Sequence, residues 1–240
     1  MRATAVNPKA DAPLVADPDV VAYRDYHDPL MPLNRAIFAF NDVAYRYALV
    51  PLANGYTRVV PEPVRGGVGN FFYNLKMPIY AINHLAQGEF GQSGHNVVRF
   101  AINSTLGVLG IFDPAASRFG YERQETHFDE TLAQYGAGYG VYLVLPLIGP
   151  SDVRSGASLV IDWILNPVTY LLDSPESTVV RGFDYFQEFA PDADTYGKLR
   201  RESEDPYLFF RNLHLQRVQR DAKAAAENLA SPSHDADDSP

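Results

Sequence analysis

The sequence predicts a mostly α-helical fold, on three observations. Apolar residues recur with the four-three spacing of a helix face through most of the chain. Strand-type alternation is nowhere sustained, residues 141–145 being the only β candidate. Prolines, glycines and capping residues divide the 240 residues into segments of helix length.

Residues 1–26 are rich in Ala, Pro and Asp, have no period, and read as a flexible arm before a helical domain over 27–220. Asp28, Pro29 and Pro32 punctuate the entry to the first helix. Leu33, Ile37, Phe40, Ala44 and Tyr47 then mark one face, and Phe38, Tyr45 and Leu49 a neighbouring one. Only Arg35, Asp42 and Arg46 form a polar stripe, so this helix is apolar around most of its circumference and must be buried or meet lipid. Pro61 and Pro63 open the next element, proline being tolerated in a first turn. Val64, Val68, Phe71, Phe72 and Leu75 line one face; Gly66, Gly67 and Gly69, each costing about 1 kcal/mol relative to Ala, are expected to serve curvature. Pro78 is expected to begin a separate short helix through Ile79, Ile82 and Leu85, stopped by Gly88 at C′.

Phe90, Val97, Val98, Ala101, Ile102 and Leu106 outline a longer helix, ended by Gly107, Gly110, Asp113 and Pro114. Thr126 and Asp129 resemble a capping box for a helix that runs into Gly136, Gly138 and Gly140. Ser151 is the expected cap of a helix reaching Asn166, and Ser174-Pro175-Glu176 opens another with Val179, Phe183, Phe186 and Ala190 on one face. Asp205-Pro206 opens the last, peripheral helix, on which Leu208, Leu215, Ala222 and Leu229 recur every seven residues. Residues 221–240 are the end of that helix and an acidic tail.

Composition excludes several classes. The formal net charge is −9, of which −2 falls in residues 1–30 and −4 in 221–240, leaving −3 for the body. No basic stripe exists for a phosphate backbone, so no nucleic-acid partner is expected, and anionic lipid would not attract the chain electrostatically. There is no cysteine, hence no disulfide or thiolate site. The first residues lack the apolar stretch of a secretory signal. No apolar run approaches the roughly 20 residues of a membrane span; the segment 157–172 is interrupted by Asp162, Asn166 and Pro167.

No local constellation for catalysis is present. His27, His84, His95, His127, His214 and His234 are scattered without metal-ligand spacing, so neither metal nor cofactor is expected. His27 beside Asp28 reads as a turn rather than an acid–base pair, and Gly136-x-Gly138-x-Gly140 lacks the context of a dinucleotide site. Asp162 and Asn166, four apart in an apolar stretch, are either the polar face of an amphipathic helix or the lining of a wet passage. Asn34 and Asn41, flanking Phe38, pose the same choice against side-chain bonding to backbone.

Taken together, an ordered series of segments resembles the MlaA (VacJ) family. The stretch DPLMPLNRAIFAFN at 28–41 is similar to its opening motif, with Met31 where the family carries Glu. YTRVVPEPVR at 56–65 follows, then Gly69-Asn70-Phe71, Asn83-His84-Leu85 with Gln87-Gly88, and Arg99-Phe100 with NSTLG at 103–107. After GIFD at 110–113 comes the most specific piece, Thr131-Leu132 through YGAGYG at 135–140 to Leu145-Pro146. SEDPY at 203–207 and Gln216-Arg217 complete a likeness over about residues 26–220.

The resemblance implies a ring of short, curved amphipathic helices around a central channel, lying in the inner leaflet of the Gram-negative outer membrane at its periplasmic face. It implies association with trimeric porins. Mislocalised phospholipid would pass from the outer leaflet through the channel to a soluble periplasmic carrier, maintaining asymmetry without catalysis. The acylated cysteine by which the family is anchored has no counterpart among these residues. Asn34, Phe38, Asn41, Asp162 and Asn166 are the candidates for the lipid path, and Gly136 and Gly138, with Gly140, match positions bounding a mobile hairpin. A soluble periplasmic lipid-binding scaffold, or a hydrolase-like enzyme on the same fold, is the alternative.

Overall fold

The computed structural model describes residues 25–230, and the chain is mostly α-helical, with a single two-stranded hairpin among the described residues. Most of the expected N-terminal arm and the acidic tail from Ser231 lie outside the described residues.

Helix α1 (Met31–Ala44) runs on through a π-helical segment, Tyr45–Leu49, into α2 (Val50–Val59). Pro51 has no N–H to offer the carbonyl one turn back, and the chain meets it with a wider turn in which the Val50 N–H reaches the Tyr45 carbonyl. Helix α3 (Glu62–Ala86) likewise runs unbroken through Pro78, where a new helix was expected. Proline in a helix interior costs about 3 kcal/mol. The long antiparallel packing of α3 on α4 (Phe90–Thr105) holds both halves in line against that cost. Gly88, at φ +78°, does end α3, with the Glu89 N–H bonded to the His84 carbonyl at 2.8 Å. In α3, Gly67 and Gly69 serve close approach: a Cβ on Gly67 would lie 3.2 Å from Ile111, and one on Gly69 3.4 Å from Gln187.

After α4 the chain makes a tight loop in which Val108, Leu109 and Gly110 all have positive φ. Gly110 is obligatory there, because a Cβ would come within 2.3 Å of Asn74. Asp113 caps α5 (Pro114–Phe119), accepting the Ala116 N–H at 3.2 Å. Helix α6 (Phe128–Gln134) lacks the expected capping box. The Thr126 hydroxyl instead donates to Glu130 and accepts from Gln87, both at 2.8 Å, and the Asp129 N–H is taken by the Ser158 hydroxyl of another helix.

Strands β1 (Tyr142–Leu145) and β2 (Gly149–Asp152) pair antiparallel, Tyr142 opposite Asp152 and Leu145 opposite Gly149. Ser151 is therefore a strand residue. Asp152 caps α7 (Val153–Leu165), receiving the Ser155 N–H at 2.9 Å. The short α8 (Val168–Leu171) leads to α9 (Glu176–Phe189), then a 3-10 turn and α10 (Ala193–Glu202). Helix α11 (Pro206–Ala230) begins where Asp205 accepts the Leu208 N–H at 3.1 Å.

Packing is divided among small clusters. Tyr142, Val144, Tyr207 and Leu215 join α1, β1 and α11; Ala53, Ala190 and Ala193 join α2 to the turn before α10; Tyr73, Met77 and Tyr80 form a third along α3. Such division is expected of a fold built around a void rather than around one core.

Candidate functional site

The partition of side chains is inverted. Among the described residues, twenty polar or charged residues are buried against fifteen apolar ones. Meanwhile Tyr47, Val59, Phe90 and Tyr170 are each more than 70% exposed, and Phe40, Leu52, Leu109, Phe112, Ile164 and Leu171 also face outward. Exposed apolar surface on this scale marks contact with membrane or protein. Among the described residues no helix is long and apolar enough to cross a membrane.

Three of the buried polar residues, Arg181, Asp184 and Gln187, line cavities that share wall residues with one another, and most of the others are hydrogen-bonded between elements. The first, of about 530 Å³, is lined along α3 by Glu62, Gly66, Gly69, Tyr73, Lys76 and Tyr80, an unbroken four-three-four-three-four stripe on one helix face. Arg123, Glu125 and His127 close it from the segment before α6, and Gln187 and Glu188 from α9. The second, of about 250 Å³, shares Lys76, Tyr80, His127 and Glu188 with the first and continues past Asp162, Trp163, Asn166, Arg181 and Asp184. A third, of about 790 Å³, meets both at His127 and opens between α6, the start of α7 and α11.

Ion pairs stud this route. The Lys76 ammonium lies 3.2 Å from Asp184 and 2.5 Å from Glu188. Burial works against its charge, but the two carboxylates outweigh it and hold the ammonium above its usual pKa. Burial raises the Asp184 carboxyl above the usual range, with Lys76 offsetting only part. His127 stands 3.5 Å from Asp162; that hydrogen bond, against burial, shifts the imidazole upward. Arg123 donates to the Asn70 side-chain oxygen, Oδ1, at 2.5 Å and lies 4.3 Å over the Tyr73 ring, while Arg181 lies 4.3 Å over Trp163. Charged groups facing adjoining, partly open cavities, with apolar side chains on the exterior, form an arrangement suited to an amphiphile whose polar end stays hydrated.

The structure separates the predicted path residues into two groups. Asp162 and Asn166 stand together on the wall of the second cavity; the Asn166 side chain also caps α8, accepting the Val168 N–H at 3.0 Å. Asn34, Phe38 and Asn41 lie together on α1 but border none of the three cavities. Asn34 donates to the Tyr142 carbonyl at 3.1 Å and accepts the Val144 N–H at 3.0 Å. Asn41 repeats the pattern on Leu145, at 2.8 Å, and Leu147, at 2.7 Å. Each primary amide thus takes the place of a neighbouring strand, bonding the carbonyl of one residue and the N–H of the second one on. Phe38 between them packs edge-on against Tyr207, 5.8 Å between centroids. Their job is to clamp the hairpin to α1.

Gly136, at φ +84°, ends α6 in a Schellman motif: its N–H bonds the Ala133 carbonyl and the Ala137 N–H that of Leu132. Gly138 has no neighbour within 4 Å of an added Cβ, whereas Gly140, at φ +75°, abuts Val153 at 3.2 Å. The α3 stripe, Arg123 and the α9 carboxylates were not among the predicted site residues. The stripe's spacing was the available signal; charge on one helix face ordinarily reads as the solvent side.

Comparison with known proteins identifies the family. A model of the MlaA lipoprotein family matches residues 26–221. The intermembrane phospholipid transport system lipoprotein MlaA of Escherichia coli (strain K12) is 35% identical over 193 residues, 79% of this chain and 76% of the relative. Its namesake in Haemophilus influenzae is 31% identical over 204 residues, 84% and 81% of the two chains. An uncharacterized protein of Rickettsia typhi is 31% identical over 209 residues, 87% and 82%. A solved structure concerned with the maintenance of bacterial outer membrane lipid asymmetry superposes with a TM-score of 0.69 at 33% identity, covering 82% of this chain and all of that one. With a family model and named relatives each spanning more than two thirds of its length, the chain belongs to the MlaA lipoprotein family.

Proposed function

We propose that this chain is a phospholipid-transport component of the Gram-negative outer membrane, which removes mislocalised phospholipid from the outer leaflet through its charged passage and passes it to a soluble periplasmic carrier, without catalysis. Membership of a family whose named members are intermembrane phospholipid transport lipoproteins assigns the chain to phospholipid transport. The observation that carries the finer reading is the partition of side chains: large apolar residues outside, ion pairs along adjoining cavities. A ring of helices with such an exterior seats in one leaflet at the periplasmic face, where its apolar surface replaces acyl chains and its interior keeps a headgroup wet. Porin trimers are the partners that would hold it there.

Deleting the gene is expected to raise surface phosphatidylethanolamine several-fold, read with a membrane-impermeant amine reagent on intact cells, and wild-type protein should restore it. Unchanged surface lipid would sink the reading. The glycine segment supplies a second test. Among the described residues the Gly138 N–H has no backbone acceptor and open space surrounds the residue, so a substitution there is not disfavoured by packing. If the segment flexes as lipid passes, Gly138→Pro should leave the helical circular dichroism intact and fail to restore asymmetry. Full complementation would make the segment an ordinary turn.

A further inference from the structure

We propose that the passage selects headgroups by ion-pair exchange at Lys76, favouring the zwitterionic phosphoethanolamine group over anionic headgroups; this rests on the transport reading above. Lys76, Tyr80, His127 and Glu188 border both the first and the second cavity, so a headgroup moving from one to the other passes the Lys76 ammonium. That ammonium already holds two carboxylates, Asp184 at 3.2 Å and Glu188 at 2.5 Å.

A phosphate arriving alone must compete with them. If it takes Lys76, two neighbouring carboxylates are left side by side without a cation, and like-charge juxtaposition disfavours that state. A headgroup that carries its own ammonium a few bonds from its phosphate avoids this. Its phosphate takes Lys76 while its ammonium takes Asp184 and Glu188, and no charge is left alone at any stage. Three N–H donors on a primary ammonium match the carboxylates' acceptors. A phosphoglycerol headgroup brings the phosphate and hydroxyls but no cation.

The first cavity repeats the arrangement. Arg65 makes no ion pair among the described residues, and its buried Nε has no hydrogen-bond acceptor, which leaves it available to a phosphate. Glu62 and Glu125 line the same cavity for an accompanying ammonium. Arg65 and Lys76 are eleven residues apart on α3, about 16 Å along the axis, which makes two successive stations rather than one site.

The test uses the purified full chain in detergent, exposed to equal amounts of dioleoyl phosphatidylethanolamine and dioleoyl phosphatidylglycerol, with retained lipid counted by mass spectrometry after dilution into lipid-free detergent. The wild type is expected to retain the ethanolamine lipid about tenfold over the glycerol lipid, equivalent to about 1.4 kcal/mol. The double variant Asp184→Asn, Glu188→Gln, which keeps side-chain volume and leaves Lys76 uncompensated, is expected to lose that preference and retain the glycerol lipid at least as well. Equal retention of the two lipids by the wild type, or an unchanged preference in the double variant, overturns the selectivity while leaving transport standing. Retention of neither lipid by the wild type overturns the transport reading and the selectivity with it. Should the double variant not fold, the wild-type ratio alone decides.

Discussion

Asp113→Ala is expected to lower the stability of the whole chain by about 4 kcal/mol, because it strands a cation that has no access to water. Arg99 is fully buried, and its guanidinium donates to Asp113 at 2.8 Å and to the Tyr121 carbonyl. Asn103 donates to the other Asp113 oxygen at 2.8 Å and accepts the Ala115 N–H at 3.0 Å. The same oxygen caps α5. Removing the carboxylate breaks a buried pair, at about 3–5 kcal/mol, and a cap worth about 1 kcal/mol, with overlap between the two. Total stabilities run at about 5–15 kcal/mol, so the loss is a large share. For a chain of this size it corresponds to a fall in Tm of about 8–16 °C, measured by near-UV circular dichroism in detergent. The double variant Arg99→Met, Asp113→Ala should recover more than half, since a buried pair exchanged for apolar groups is often neutral. A single variant melting within 2 °C of wild type would mean that the network contributes little.

The pH dependence follows from the same contacts. Burial alone would raise the Asp113 carboxyl, but hydrogen bonds from Asn103 and Arg99 more than offset it and hold it below the usual range. A depressed folded value means that the stabilisation is complete above the unfolded pKa, near 4, and is lost as pH falls through the lower folded value. The difference in Tm between wild type and Asp113→Ala should therefore be level from pH 7 to about 5 and shrink in stronger acid. A difference that grows on acidification would contradict this.

Helix starts and stops were legible in the sequence wherever one residue type has one local job. Gly88 ending α3, Asp205 opening α11 and Asn166 closing α7 stand where punctuation put them. What local pattern missed was decided by tertiary contact. Pro78 reads as a break, yet α4 alongside keeps α3 whole. Thr126 and Ser151 read as caps, but nearer partners claim them or their backbone, and Asp152 does the capping instead. Strand β2, Gly149-Pro150-Ser151-Asp152, has no β propensity of its own and exists because β1 offers it a partner. The lining of the cavities was hidden for a related reason. Lys76 and Tyr80 on one face of α3 look like a solvent side until α9 and the segment before α6 fold over them.

Asn34→Ala and Asn41→Ala are expected to release the hairpin from α1, each raising amide hydrogen exchange at Val144 and Leu147 respectively by about 10- to 100-fold. The two asparagines stand two helical turns apart and bond the edge of β1 and its turn that β2 leaves open. Alanine supplies no replacement, and Val144 is only 2% exposed, so its N–H is left without an acceptor at about 1–3 kcal/mol. Tyr45 adds a third point, its hydroxyl donating to the Leu147 carbonyl at 2.9 Å, so the Asn41 variant should lose less than the double variant. Amides in α4 should not change, because that helix carries none of these bonds. The clamp bears directly on where motion is possible. Residues 142–147 are tied by four hydrogen bonds to α1 and by a fifth to Tyr45 of the π-helical segment after it, whereas Gly136 and Gly138 upstream have open space about them. Any movement of the hairpin during lipid passage must therefore either break the clamp or be taken up between Tyr135 and Gly140. If exchange at Val144 and Leu147 is already fast in the wild type and unaltered in the variants, the clamp does not hold and the hairpin swings as a unit. Slow exchange that the variants abolish confines the flexing to the glycines.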